Sequence, residues 1–117
     1  MDSIAEFNQF RSQMNNAIME SGHLGLKRFF ALDHQAYEDG ALPAKTKELM
    51  GLVASMVLRC DDCITYHILR CVEEKASKQE LLESFNVALV VGGSIVIPHL
   101  RRAFARVQEL ETSGAFE

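Results

Sequence analysis

The fold is decided by the stretch Glu48-Leu49-Met50-Gly51-Leu52-Val53-Ala54-Ser55-Met56-Val57-Leu58-Arg59-Cys60-Asp61-Asp62-Cys63-Ile64-Thr65-Tyr66-His67. From Leu49 to Leu58 almost every residue is apolar or small, and Ser55 is the one polar exception. The Met, Leu and Ala spacing favours helix over strand, and the pattern predicts a helix buried nearly all round. Glu48, at its head, is then a carboxylate drawn inside. Two cysteines three apart follow. They can close a reversible disulfide with little backbone movement if the second begins a helix. His67 lies one helical turn beyond Cys63 on the same face, within reach as a proton acceptor.

Working outward, Leu42-Pro43-Ala44-Lys45 reads as a helix start, because the N–H that proline lacks is unused in a first turn. Upstream, Ser3-Ile4-Ala5-Glu6 has capping-box spacing. Phe7, Phe10, Met14, Ala17 and Ile18 then recur at helical intervals up to a stop at Ser21-Gly22. A second helix is expected from Leu24 to Glu38, ended by Gly40. Downstream, Asp61 or Asp62 is the expected cap of a helix running to about Ala76, and Ser77-Lys78-Gln79-Glu80 is a second capping box. Val87 to Val91 has strand propensity taken alone. Gly92-Gly93 is read as a break or a close packing point. The last helix covers Ser94 to Leu110, with Pro98 tolerated near its first turn, Arg101, Arg102 and Arg106 on its solvated face, and Thr112 to Glu117 as a frayed tail. The expectation is one all-α domain over residues 1–117, a single-domain helical bundle of five or six helices.

Composition narrows the function classes. The chain has 117 residues, a formal charge of −4 and 48% apolar residues, the balance of a soluble globular protein without the basic face nucleic acid requires. The N-terminus shows no secretory signal, and the apolar run Val87 to Leu100 is too short and too broken to span a bilayer. A cytoplasmic, reducing location is expected, with no nucleic-acid or membrane partner. Three cysteines make an odd count that fits a disulfide framework poorly, and in a reducing compartment C-x-x-C points to metal or to a catalytic dithiol.

Metal meets a geometric objection. On one helix Cys60 and Cys71 lie ~16 Å apart along the axis, too far to share one zinc ion. A site of Cys60, Cys63 and His67 would need a fourth, distant ligand. Redox chemistry fits better: a cysteine in the first turn of a helix has its thiolate favoured by the dipole and free N–H groups. His67 can take the Cys63 proton, and Glu48 can orient the imidazole if a tight turn near Arg59 and Cys60 folds the two helices together. Cys71 reads as a small buried hydrophobe and the five methionines as core filler. Tyr66 reads as packing. His23, His34 and His99 are read as surface or locally bonded.

Glu48, Cys60, Cys63 and His67 together match E-x11-C-x-x-C-x3-H, and this arrangement resembles the signature of the alkylhydroperoxidase D-like proteins of the carboxymuconolactone decarboxylase superfamily. The similarity covers roughly residues 40 to 105. It implies an all-helical fold of the alkylhydroperoxidase D-like type and homo-oligomers, commonly trimers or hexamers. It also implies thiol-dependent peroxidase or disulfide-reductase activity. In that scheme Cys63 is the attacking thiolate, Cys60 its resolving partner, and His67 with Glu48 the proton relay. The resemblance calls for no cofactor. The partners are a small-molecule hydroperoxide or disulfide and a thiol electron donor, lipoyl- or thioredoxin-like. The decarboxylase branch lacks the cysteine pair, which argues against lactone decarboxylation. One departure is visible: Asp61 and Asp62 stand between the cysteines, and two carboxylates oppose thiolate formation, which weighs against peroxide and towards thiol–disulfide exchange. The alternative is a non-catalytic redox-sensing or metal-binding helical module.

Overall fold

The structure is a computed structural model that describes residues 1–117. It is all-helical: α1 (Ile4–Glu20), α2 (Leu24–Ala36), α3 (Ala44–Val57), α4 (Asp61–Glu73), α5 (Lys78–Gly92), a single 3-10 turn (Ser94–Val96) and α6 (Ile97–Thr112). The backbone divides into two compact units, Met1–Glu38 and Asp39–Glu117.

In the first unit α1 begins on the expected capping box, in which Ser3 and Glu6 satisfy each other's backbone N–H groups. His23 caps α2 by accepting the Leu26 N–H at 3.3 Å. Phe10, Met14, Leu24, Phe29 and Leu32 are exposed on these two helices.

In the second unit α3 packs against both α4 and α5, and α4 packs against α6. The core is built from one stripe of each helix: Leu52 and Met56 from α3, Ile64, Ile68 and Cys71 from α4, Leu81, Phe85 and Ala88 from α5, Ala103 and Val107 from α6. Each of these is at most 2% exposed, so each contributes close to its full transfer free energy, about 1.5–3 kcal/mol for a large aliphatic side chain. Val87 to Val91 is helix, carried by the capping box at Ser77 and Glu80 and by the Leu81, Phe85 and Ala88 stripe. Both readings of the glycine pair hold. Gly93 breaks the helix at φ 82°, and a Cβ on Gly92 would lie 2.6 Å from Val96 Cγ2.

Several expectations are corrected. The apolar helix α3 is not buried all round: Met50 and Leu58 are 55% and 77% exposed. Together with Val53, Val57, Val87 and Val91 they line an open apolar groove of about 760 Å³ between α3 and α5. Apolar composition says only that a face avoids water, and within one chain α4 and α5 cover part of α3. Of the methionines only Met56 is a core residue, while Met1, Met14 and Met50 are exposed. Arg106 does not belong to the solvated face of α6. It is 4% exposed and donates from Nε to Thr65 Oγ1 at 3.1 Å, tying α6 to α4. Arg101 and Arg102 do face solvent. The C-terminal tail is turned, not frayed: Gly114 at φ 82° lets the Ala115 N–H reach the Leu110 carbonyl at 3.0 Å. No helix is long and apolar enough to cross a membrane.

Candidate active site

The site is organised by the turn between α3 and α4. Leu58 is the C-cap of α3, and Arg59 adopts the left-handed conformation at φ 61°. The Arg59 N–H then bonds the Met56 carbonyl at 3.0 Å and the Cys60 N–H bonds the Ser55 carbonyl at 3.1 Å. This is a Schellman termination with arginine in the position glycine usually takes, at a cost of about 1–2 kcal/mol in local backbone energy. The next helix starts with no linker. Cys60 is itself the N-cap of α4, and its sulfur accepts the Cys63 N–H at 3.3 Å. Asp61 and Asp62, the expected caps, instead occupy the first turn, where negative charge suits the helix dipole.

The same geometry sets the dithiol. The two cysteines are not joined by a disulfide, and their sulfurs are 2.7 Å apart. Cys63 is exposed and Cys60 partly covered, so Cys63 offers the more accessible sulfur. Partial burial, the hydrogen bond with Cys60 and the negative charge of Cys60 and Asp62 push the Cys63 thiol up to about 11, against the opposing pull of a backbone N–H. Such a thiol is protonated at neutral pH and needs a base to react.

An imidazole stands one turn further along α4. His67 is 7% exposed, with its ring edge-on to Tyr66 at a centroid distance of 5.1 Å. Its Nδ1 lies 2.8 Å from Glu48 Oε1, delivered by α3. The tight turn thus closes the distance between the two helices that sequence spacing leaves open. A carboxylate can only accept, so against an ionised Glu48 the imidazole carries its hydrogen on Nδ1, and Nε2 is the basic nitrogen. Glu48 is 1% exposed, and burying its charge is made tolerable by two partners. The second is Arg70, whose Nε approaches Glu48 Oε2 at 3.4 Å. The Arg70 guanidinium also bonds Glu73 and, at 3.3 Å, Glu74. No buried side-chain nitrogen or oxygen lacks a hydrogen-bond partner.

Of the residues singled out in the sequence, the structure brings Cys60 to Cys63 and Glu48 to His67, with His67 one helical turn beyond Cys63 on α4. Sequence reasoning missed Arg70, although the signal was present: Arg70 is three residues beyond His67, on the same face of α4. His99, expected at the surface or locally bonded, instead contacts Asp61 Oδ1 through Nδ1 at 2.8 Å across 38 positions of sequence. Cys71 is fully buried, its thiol pushed up to about 12 by burial and by the charge of Glu48. It lies in the core and not with the pair. No group of three or more His, Cys, Asp or Glu side chains is arranged to hold a metal ion.

With this geometry in hand, residues 24–106 match the carboxymuconolactone decarboxylase family. The chain belongs to that family. The resemblance drawn from Glu48, Cys60, Cys63 and His67 therefore holds at the level of the alkylhydroperoxidase D-like and carboxymuconolactone decarboxylase superfamily. Among solved structures, a Thermotoga maritima protein is 56% identical, with a TM-score of 0.90 over 93% of this chain and 96% of that one. A second crystal structure of that same protein, described as a carboxymuconolactone decarboxylase family protein with a possible part in antioxidative response, gives 55% identity and a TM-score of 0.85 over 94% and 96%. A family protein from Legionella pneumophila, solved in its apo form, is 28% identical, with a TM-score of 0.80 over 93% and 97%.

Proposed function

We propose that this chain is a thiol-dependent oxidoreductase that reduces a hydroperoxide or a disulfide with the Cys60–Cys63 pair. The observation that carries the reading is the cysteine pair with its sulfurs 2.7 Å apart at the head of α4, one turn from a buried His67–Glu48 pair. The antioxidative role suggested for the Thermotoga maritima protein supports the same direction.

In the proposed reaction His67 accepts the proton of Cys63, and Glu48 and Arg70 hold the imidazole and its counter-charge in place. With a hydroperoxide, the Cys63 thiolate attacks the distal oxygen and the O–O bond breaks. The alcohol leaves with the proton from His67, and Cys63 becomes a sulfenic acid. The Cys60 sulfur then attacks Cys63, water leaves, and the dithiol has given two electrons and become a disulfide. With a disulfide substrate, the same attack gives a mixed disulfide that Cys60 resolves, releasing two thiols. An external dithiol, lipoyl- or thioredoxin-like, restores the reduced pair by two exchanges. Asp62 helps hold the proton on Cys63, which gives thiol–disulfide exchange the greater weight of the two. The decarboxylase activity in the family's name has no need of such a pair. The chain is further proposed to assemble as a homo-oligomer, a trimer or hexamer, which would cover the exposed apolar groove between α3 and α5.

The test is thiol counting with turnover. Reduced protein treated with cumene hydroperoxide or oxidised lipoamide is expected to lose two of its three thiols, and Cys60→Ser and Cys63→Ser each to abolish turnover of both substrates. Unchanged turnover in either variant overturns the reading.

A further inference from the structure

Asp61 sits between the two cysteines in sequence, yet its carboxylate is engaged by a different helix. Oδ1 lies 2.8 Å from His99 Nδ1 and Oδ2 3.6 Å from Arg102, both in the first two turns of α6. Asp61 and His99 are each partly covered, with side chains 37% and 22% exposed. Because a carboxylate only accepts, His99 carries a hydrogen on Nδ1, and its other ring nitrogen can take up a proton without breaking the contact. We propose that His99 and Arg102 are positioning residues for the dithiol, holding and neutralising the Asp61 carboxylate so that its charge is not felt by Cys60 and Cys63.

The neighbouring aspartate provides the contrast. Asp62 is exposed, and the negative charges that raise the Cys63 thiol are those of Cys60 and Asp62. Of the two carboxylates in this first turn, α6 reaches Asp61 and leaves Asp62 exposed. The other charged and titratable groups on the surrounding elements are Arg59 in the turn, Glu48 from α3, and His67 and Arg70 on α4. On α6 they are Arg101 and Arg106. Glu48, His67 and Arg70 are bonded to one another and Arg106 to Thr65, while His99 and Arg102 are the groups placed on Asp61. The docking also ties the start of α6 to the start of α4, next to the cysteine-bearing turn.

This inference rests on the pair being a redox dithiol, so it is tested on thiol acidity, which can be read whether or not turnover occurs. The rate of iodoacetamide alkylation of reduced full-length protein is followed from pH 5 to 10, with adducts assigned to Cys60 or Cys63 by mass spectrometry and folding checked by circular dichroism. Removing both partners of Asp61 in His99→Gln/Arg102→Gln is expected to slow alkylation at pH 7 roughly threefold to tenfold, the effect of one screened charge several ångströms away. In an Asp61→Asn background the same pair of substitutions is expected to change the rate less than twofold, and His99→Lys, which restores a cation, is expected to recover at least half of the lost rate. An equal slowing in the Asp61→Asn background would make the role purely structural and overturn the proposal, as would no slowing in the parent. Should the double variant unfold, the aspartates decide. Asp62→Asn is expected to speed alkylation several-fold and Asp61→Asn by less than half as much, and equal acceleration by both overturns the proposal.

Discussion

Replacing Glu48 with glutamine keeps the side-chain volume and removes only the charge, which makes it the sharpest probe of the buried relay. Glu48 is 1% exposed, with His67 at 2.8 Å and Arg70 at 3.4 Å on its two oxygens. A hydrogen bond to a charged group contributes about 1.5–3 kcal/mol. The Arg70 contact adds little, being long, partly solvated and shared with Glu73 and Glu74. Glutamine can still accept from His67, so the expected cost of Glu48→Gln is about 2 kcal/mol of stability. The imidazole loses the counter-charge that makes it a competent base, and since general-base assistance contributes about 10²–10⁴ in rate, turnover is expected to fall about 100-fold. Stability is read by urea denaturation followed by circular dichroism, because the chain has no tryptophan to report by fluorescence. Turnover is read as thiol-dependent loss of oxidised lipoamide or cumene hydroperoxide. A folded variant, destabilised as expected but with turnover within twofold of the parent, would show that the pair is a structural bond and refute its part in proton transfer.

Two further outcomes follow from the same geometry. The Cys63 thiol is raised from about 9 to about 11, so in the reduced protein the unfolded chain releases that proton first, and stability is expected to fall as pH rises from about 9 towards 11. Cys63→Ser should flatten that part of a pH series of urea midpoints, leaving the contribution of buried Cys71, and an unchanged series would refute the assignment. Thr65→Val keeps shape but leaves the buried Arg106 Nε–H without its 3.1 Å acceptor, at an expected cost of about 1–3 kcal/mol in urea denaturation. A loss below about 0.5 kcal/mol would mean the α4–α6 contact relaxes around the change.

The elements of this protein are legible because they are set locally. Ser3-Glu6 and Ser77-Glu80 announce two helix starts by capping chemistry that involves four neighbouring residues, and both form as read. The spacing of Glu48, Cys60, Cys63 and His67 permits the carboxylate to approach the imidazole if a tight turn joins the helices, and the turn at Arg59 supplies that condition. Local pattern misled where the answer depended on which neighbour covers a face. Arg106 looks like its solvated neighbours Arg101 and Arg102, yet it is buried where Thr65 from α4 accepts its Nε–H. The apolar run of α3 implied full burial, yet Met50 and Leu58 remain exposed because α4 and α5 shield only part of it.

Sequence alone determined the all-helical architecture, the family and the four residues of the candidate site, since helix periodicity, capping and motif spacing are properties of short stretches of chain. Tertiary structure alone decided what surrounds them. Cys60, not an aspartate, caps α4, because a left-handed Arg59 lets one helix end where the next begins. Arg70 closes the far side of Glu48, and α6 claims Asp61 through His99 and Arg102 while leaving Asp62 in water. These differences act through charge and hydrogen bonding over a few ångströms, between residues up to 41 positions apart, and no linear pattern encodes which of two adjacent aspartates finds a partner.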